Sequence, residues 1–147
     1  MARGIPRLAF LAALCLGGEA LAQDGDWSAC AKGANRTALA ACDRTIDSGR
    51  YTGKALAAAH TNRGVEWMAQ GNAASAISDF DKAIRLDPSQ AVAFYNRGLA
   101  RSDTRDFDGA IADYDEALRL YPRHAAALSS RGLVHFSKGD IERAIAD

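Results

Sequence analysis

Residues 57–90 read AAAHTNRGVEWMAQGNAASAISDFDKAIRLDPSQ, and the chain returns to this pattern twice. It recurs as AVAFYNRGLARSDTRDFDGAIADYDEALRLYPRH over 91–124 and as AAALSSRGLVHFSKGDIERAIAD over 125–147. At a spacing of 34, Arg63-Gly64 becomes Arg97-Gly98 and Arg131-Gly132, and Ala76-Ile77 becomes Ala110-Ile111 and Ala144-Ile145. Phe80 aligns with Tyr114, Ala83 with Ala117, Leu86 with Leu120 and Pro88 with Pro122. A fixed period of this length marks units that cannot bury an apolar face alone and therefore stack.

Each unit reads as two helices. The chain is rich in Ala and carries only three prolines, which favours helix over strand. The first helices are expected over Ala57–Gln70, Ala91–Thr104 and Ala125–Lys138. The second helices open after Asn72, Asp106 and Asp140, whose side chains can accept a free backbone N–H, and an Asp there also complements the helix dipole. They close ahead of Pro88 and Pro122, because the residue before proline is pushed out of the helical region. Within them, Ala76, Ile77, Phe80 and Ile84, then Ala110, Ile111, Tyr114 and Leu118, form one apolar stripe. Gly64, Gly98 and Gly132 fall mid-helix, where Gly costs about 1 kcal/mol against Ala. The reading is that they let the facing Ala76, Ala110 and Ala144 come close.

The N-terminus has a different character. Arg3 and Arg7 precede the apolar run Leu8–Leu16, and Ala20-Leu21-Ala22 follows, which is the layout of a secretory signal over 1–22 cleaved after Ala22. The run is about half the ~20 residues of a spanning helix. Arg3 and Arg7 are not adjacent, against a twin-arginine route, and Leu14 before Cys15 does not suit lipid attachment. The mature chain is expected in the periplasm or outside the cell. There Cys30 and Cys42 are most simply a disulfide, the alternative being two buried thiols; no Cys-x-x-Cys spacing points to redox chemistry. Residues 23–56 read as a degenerate half-repeat: Lys32-Gly33 aligns with Gln70-Gly71, Ala38-Leu39 with Ala76-Ile77, and Cys42–Ile46 with Phe80–Ile84. Asp26 is placed as the cap of a short helix from Trp27. The exit loop, Asp47–Lys54, is about four residues longer than its counterpart, which loops tolerate. A tight antiparallel turn at Gly33 would leave the two cysteines ~9 Å apart along the axis, too far for a disulfide. Either the short helix crosses steeply, which is the expectation, or the pair is unbonded.

These residues resemble the tetratricopeptide repeat family, in two full repeats (57–90 and 91–124) and an incomplete third (125–147). The family pattern is carried by Gly64, Trp67, Ala76, Phe80, Ala83 and Pro88 in the first repeat. Phe94, Gly98, Ala110, Tyr114, Ala117 and Pro122 carry it in the second, and Leu128, Gly132, His135 and Ala144 in the third. Two positions depart from it: His60 and Arg101 stand where the family has an aromatic or bulky residue. The resemblance implies an all-α, right-handed α-solenoid of helix-turn-helix repeats whose first helices line a concave groove. Carrying over the groove positions gives a peptide-binding set of Asn62, Val65, Met68, Tyr95, Asn96, Leu99, Leu133 and Phe136. Thr61, Val92 and their neighbours fill the remaining positions. The carboxylate clamp of one subgroup is not expected, since only Asn96 matches it and Thr61, Val65, Ala126 and Ser130 occupy its other positions. The half-repeat would cap the N-terminal side. The third repeat stops at Asp147, read as truncation or as an edge covered by a partner.

Nothing in the sequence assembles a catalytic centre. His60, His124 and His135 lack nucleophile or metal-ligand spacing, and His60 and His135 sit at packing positions. Asp79-Phe80-Asp81 and Asp113–Glu116 are helical and read as solvated faces beside Lys82, Arg85 and Arg119. Arg63, Arg97 and Arg131 form a ladder, read as pairing within the scaffold, with an anion-recognising stripe as the alternative. Trp67 and Phe80 are assigned to the core. Formal net charge is zero, which gives no footprint for nucleic acid or an anionic membrane. The function expected is a non-enzymatic module, without cofactor or metal, that binds a peptide or partner helix in the groove. The alternative is an assembly module that stacks through its C-terminal edge.

Overall fold

A computed structural model describes residues 25–33 and 36–147; the expected signal over 1–22, its cleavage point and Cys15 lie outside the described residues. The described residues form helices and connecting turns with no strand. The helices are α1 (Gly25–Lys32), α2 (Arg36–Asp47), α3 (Gly53–Ala69), α4 (Ala73–Leu86), α5 (Ala91–Asp103), α6 (Phe107–Leu120), α7 (Ala125–Ser137) and α8 (Ile141–Ala146). Among these helices none is long and apolar enough to cross a membrane.

The caps follow from the side chains. Asn72 Oδ1 accepts the Ser75 N–H at 3.1 Å, Asp106 the Gly109 N–H at 3.0 Å, and Asp140 the Arg143 N–H at 3.2 Å. Helices α4 and α6 end at Leu86 and Leu120, just ahead of their prolines. The turn inside each full hairpin needs one left-handed residue. Gly71 and Gly139 supply it in the first and third repeats, whereas Arg105 adopts it at φ 65° in the second.

Two helix starts differ from expectation. Helix α3 begins at Gly53, because Lys54, Ala55 and Leu56 are good helix formers and turn the longer exit loop into an extra helical turn. Asp26 does not cap α1 but lies inside its first turn, where its carboxylate accepts from Arg44 at 2.7 Å.

Helices pair as hairpins α1/α2, α3/α4, α5/α6 and α7/α8, and each second helix packs on the next first helix. Successive first helices α1, α3, α5 and α7 also touch, while successive second helices do not. A stack in which one layer is in lateral contact and the other is spread apart must curve, so the first helices form its inner wall.

The core is built of small residues around single rings. Phe80 packs with Ala76 and Ala100, and Tyr114 with Ala110 and Val134; Ala57, Ala83 and Ala93 fill the junction between the two full repeats. The reason for the mid-helix glycines differs from the expected one. A Cβ on Gly64 would lie 2.5 Å from the Phe80 ring, and one on Gly98 would lie 2.6 Å from the Tyr114 ring. The aromatic ring of the second helix, rather than the facing alanine, takes the space a side chain would need. At Gly132 the neighbours are Asp147 and the Ala144 carbonyl.

Cys30 and Cys42 are bonded, with sulfurs 2.06 Å and Cα atoms 4.7 Å apart. Residues 33–35 separate α1 from α2, so Cys30 is two residues from its helix end and Cys42 six from its own. That reduces the axial offset from ~9 Å to ~6 Å. Parallel axes would still exceed the observed Cα separation, so α1 crosses its partner. Ala41 packs against the disulfide, and the Trp27 ring lies 5.0 Å from Tyr51.

Candidate functional site

Behind the inner wall runs the arginine ladder. Arg63 donates from Nε and Nη2 to Asp79 at 2.8 and 2.7 Å, and from Nη1 to Asp43 at 2.8 Å. Arg97 repeats this with Asp113 at 3.0 and 2.6 Å and Asp81 at 2.6 Å, and Arg131 repeats it with Asp147 and Asp115. Each guanidinium therefore grips the second helix of its own hairpin with two parallel bonds and reaches back to the preceding hairpin with a third. With its donors engaged in this way, the ladder is scaffold, and the anion-recognising alternative falls.

Asp79 and Asp113 correct the expectation of solvated faces: each is only 2% exposed. A buried carboxylate demands partners, and the two departures from the repeat pattern supply them. His60, buried at its packing position, places Nδ1 3.0 Å from Asp79 Oδ1. An ionised carboxylate only accepts, so this nitrogen carries the proton. Arg101, standing where Trp67 stands one repeat earlier, donates to Asp113 at 2.9 Å. Burial alone would raise the Asp79 carboxyl, but hydrogen bonds from His60 and Arg63, with their charge, hold it at about 2.

The inner wall holds the eight expected groove residues in three different states. Asn62 and Val65 border a hollow of about 360 Å³ between α1 and α3, with Val65 42% exposed. Met68, Tyr95 and Leu99 are half-buried and committed to the core. Met68 packs on the Phe80 cluster and Leu99 on the Tyr114 cluster, and Tyr95 lies 6.1 Å from the Tyr114 ring and 4.8 Å from the His124 ring. Leu133 and Phe136 are 65% and 64% exposed and border a hollow of about 570 Å³ with α8. Asn96 is half-buried between these regions. Thr61 is buried, and its hydroxyl donates to Gln90 Oε1 at 2.6 Å, which removes it from the groove surface. His124 caps α7, Nδ1 accepting the Ala127 N–H at 3.2 Å. Tyr114 is buried under Tyr95, and that burial raises its phenol despite a hydrogen bond with Ser130.

Sequence reasoning missed two sets of residues. The Asp79, Asp113, Asp147 series was visible as a 34-residue recurrence 16 places after each arginine. The α1 residues that join the inner wall, Cys30, Ala31 and Lys32, carry no signal in the sequence, because the shortened first helix of this segment departs from the repeat pattern.

Family models described as tetratricopeptide repeat match residues 57–90 and 95–147, together more than half of the chain. Among solved structures, the chain is similar to the crystal structure of MamA at 24% identity and TM-score 0.68, covering 75% of this chain and 62% of that one. It is similar to the first repeat domain of Spaghetti (RPAP3) bound to an HSP90 peptide, at 24% identity and TM-score 0.65, covering 70% and 79%. A third likeness is to YrrB, whose structure is described as having an unusual peptide-binding site, at 16% identity and TM-score 0.66, covering 76% and 55%. The chain thus spans less than two thirds of the MamA and YrrB chains, and at these identities the likeness is one of fold. No curated protein matches the chain.

Proposed function

The chain belongs to the tetratricopeptide repeat family, and from that premise we propose that it is a non-enzymatic protein-interaction module holding a peptide or partner helix against its first helices. The observation that carries this is the inner wall itself, where Val65, Val92, Leu133 and Phe136 stay exposed although the core beside them is closed. Apolar side chains left open along one concave surface mark a binding site. Asn62 and Asn96 offer amides to a ligand backbone. Two of the structural likenesses, one bound to an HSP90 peptide and one described as having an unusual peptide-binding site, support the same reading. The signal-like N-terminus and the buried disulfide support a place in the periplasm or outside the cell.

The half-buried state of Tyr95 and Leu99 decides which variants test this. Truncating them would open the core, whereas Val65, Leu133 and Phe136 can be changed with little loss of packing. The triple variant Val65→Asp, Leu133→Asp, Phe136→Asp should keep its helical circular dichroism and lose the proteins that co-purify with the parent from cell-envelope extract. Identical co-purifying proteins by mass spectrometry would sink the proposal. A second reading, self-assembly, is favoured by the exposed Ile141 and Ile145 beside Phe136. Sedimentation velocity across a concentration series decides it, and a monomer throughout eliminates it.

A further inference from the structure

His124, the last residue of the second repeat, does two things at once. Its Nδ1 accepts the Ala127 N–H at 3.2 Å, which caps α7, and its ring lies 4.8 Å from the Tyr95 ring on the inner wall. The Tyr121 ring meets it edge-on at 5.8 Å. The Ala127 N–H also reaches the His124 carbonyl at 2.9 Å, so the amide is shared between two acceptors. One repeat earlier the same two positions are held by Gln90 and Thr61. Gln90 makes no side-chain cap on α5, and its Oε1 accepts from the Thr61 hydroxyl instead. The first junction is thus closed by groups that do not titrate, and the second by an imidazole, a group whose charge changes between about pH 5 and 8.

Accepting at Nδ1 fixes the neutral ring with its proton on Nε2. A second proton has to sit on Nδ1, where it faces the Ala127 N–H donor to donor, beside the positive end of the helix dipole. His60 and His135 face Asp79 and Asp140, but no carboxylate among the described residues pairs with His124 to hold a charged ring in place. From α5 the ring meets Tyr95, and Arg97 on that helix is engaged with Asp81 and Asp113. From the preceding turn it meets Tyr121, with Arg123 exposed next to it in the chain. On α6 Glu116 and Arg119 bond each other, and residues 125–130 of α7 carry no charge. Tyrosine rings attract a cation, so the charge is tolerated there; the orientation that caps α7 is not.

We propose that His124 is an acid-sensitive latch: neutral, it ties the start of α7 to Tyr95, and protonated, its ring turns and gives up the cap. Ala127 is buried with Phe94 and Ala117, so the loosened turn opens the contact of α7 with α5 and α6. The α3–α5 junction, closed by Thr61 and Gln90, keeps its geometry. Acid therefore shifts one half of the inner wall against the other. The consequence for a ligand rests on the groove reading, whereas the latch itself is measured on the free protein.

The test uses the full oxidised chain, labelled with carbon-13 and nitrogen-15 and without ligand, between about pH 8 and pH 5. At the upper end the His124 nitrogens should report a proton on Nε2 alone. On acidification the Ala127 amide and the Tyr95 ring should shift together with the His124 ring. Ala127 exchange, corrected for its intrinsic pH dependence, should quicken about fivefold, the ratio set by a lost cap. Ala93, the equivalent amide after Gln90, should keep its rate. His124→Gln, which copies the first junction, should remove the change at Ala127. A proton on Nδ1 at the upper end, an Ala127 amide that ignores the His124 titration, equal quickening at Ala93, or the same change in His124→Gln would each overturn the latch and leave the groove reading standing. All but the last use the unmodified chain, so the latch stays falsifiable if the variant fails to fold.

Discussion

A methyl group on Gly98 would sit 2.6 Å from a ring carbon of Tyr114, and Tyr114 is fully buried with nowhere to move. Gly98→Ala should therefore destabilise the chain by about 1–2 kcal/mol, an overpacking cost larger than the ~1 kcal/mol of helix propensity gained. Urea unfolding measures it, and a rise in midpoint would refute the contact. Arg105 presents the opposite case, since an L-residue held at φ 65° is strained where both neighbouring repeats have glycine. Arg105→Gly should raise stability by about 0.5–1 kcal/mol, after allowing for the freedom glycine gains in the unfolded chain. Asp79 adds a pH dependence. Its folded carboxyl, at about 2, lies below the ordinary 3.8, so its contribution is full above about pH 4 and is lost as pH falls towards 2. The linked amount is on the order of 2 kcal/mol. Asp79→Asn should accordingly lower stability at about pH 5 and matter much less at about pH 2.5.

Between helices, the bonds of the arginine ladder are of unequal worth. Asp79 is buried beneath Arg63 and His60, whereas Asp81, which joins Arg97 across two hairpins, has a side chain 37% exposed. Asp79→Ala leaves the Arg63 guanidinium and the His60 ring without their buried carboxylate and should cost about 3 kcal/mol, while Asp81→Ala should cost less than about 1 kcal/mol. Equal losses would mean that the ladder acts mainly between repeats. The half-repeat is held by a different device. Helix α1 has eight residues and buries one of them, Cys30, so the bond to Cys42 across a separation of 12 is its principal anchor. Removing it should cost about 3 kcal/mol by loop-closure entropy. Hydrogen exchange should show α1 opening in the reduced protein while α3–α6 stay protected. Intact mass with and without reductant checks that the bond forms.

As a whole, the chain is a curved stack in which each hairpin touches only its neighbours, so stability should fall towards the ends. Amide exchange is expected to be slowest in α4–α6, flanked on both sides, and faster in α1 and α8. The two helices per repeat, their caps at Asn72, Asp106 and Asp140, and their ends before proline were legible in the residues, because propensity, capping and periodicity are local and recur every 34 places. The α1/α2 hairpin falls where the sequence aligns more weakly with the repeats, around Cys30 and Cys42. Only the tertiary structure decided what the periodic residues touch. Whether Gly98 faces an alanine or a ring, whether Asp79 meets water or Arg63, and whether Tyr95 lines the groove or the core are set by packing between helices distant in sequence. The placement of the His124 ring, against Tyr95 and the Ala127 amide, belongs to the same class. A repeat pattern states which residue is present without stating where its atoms are drawn.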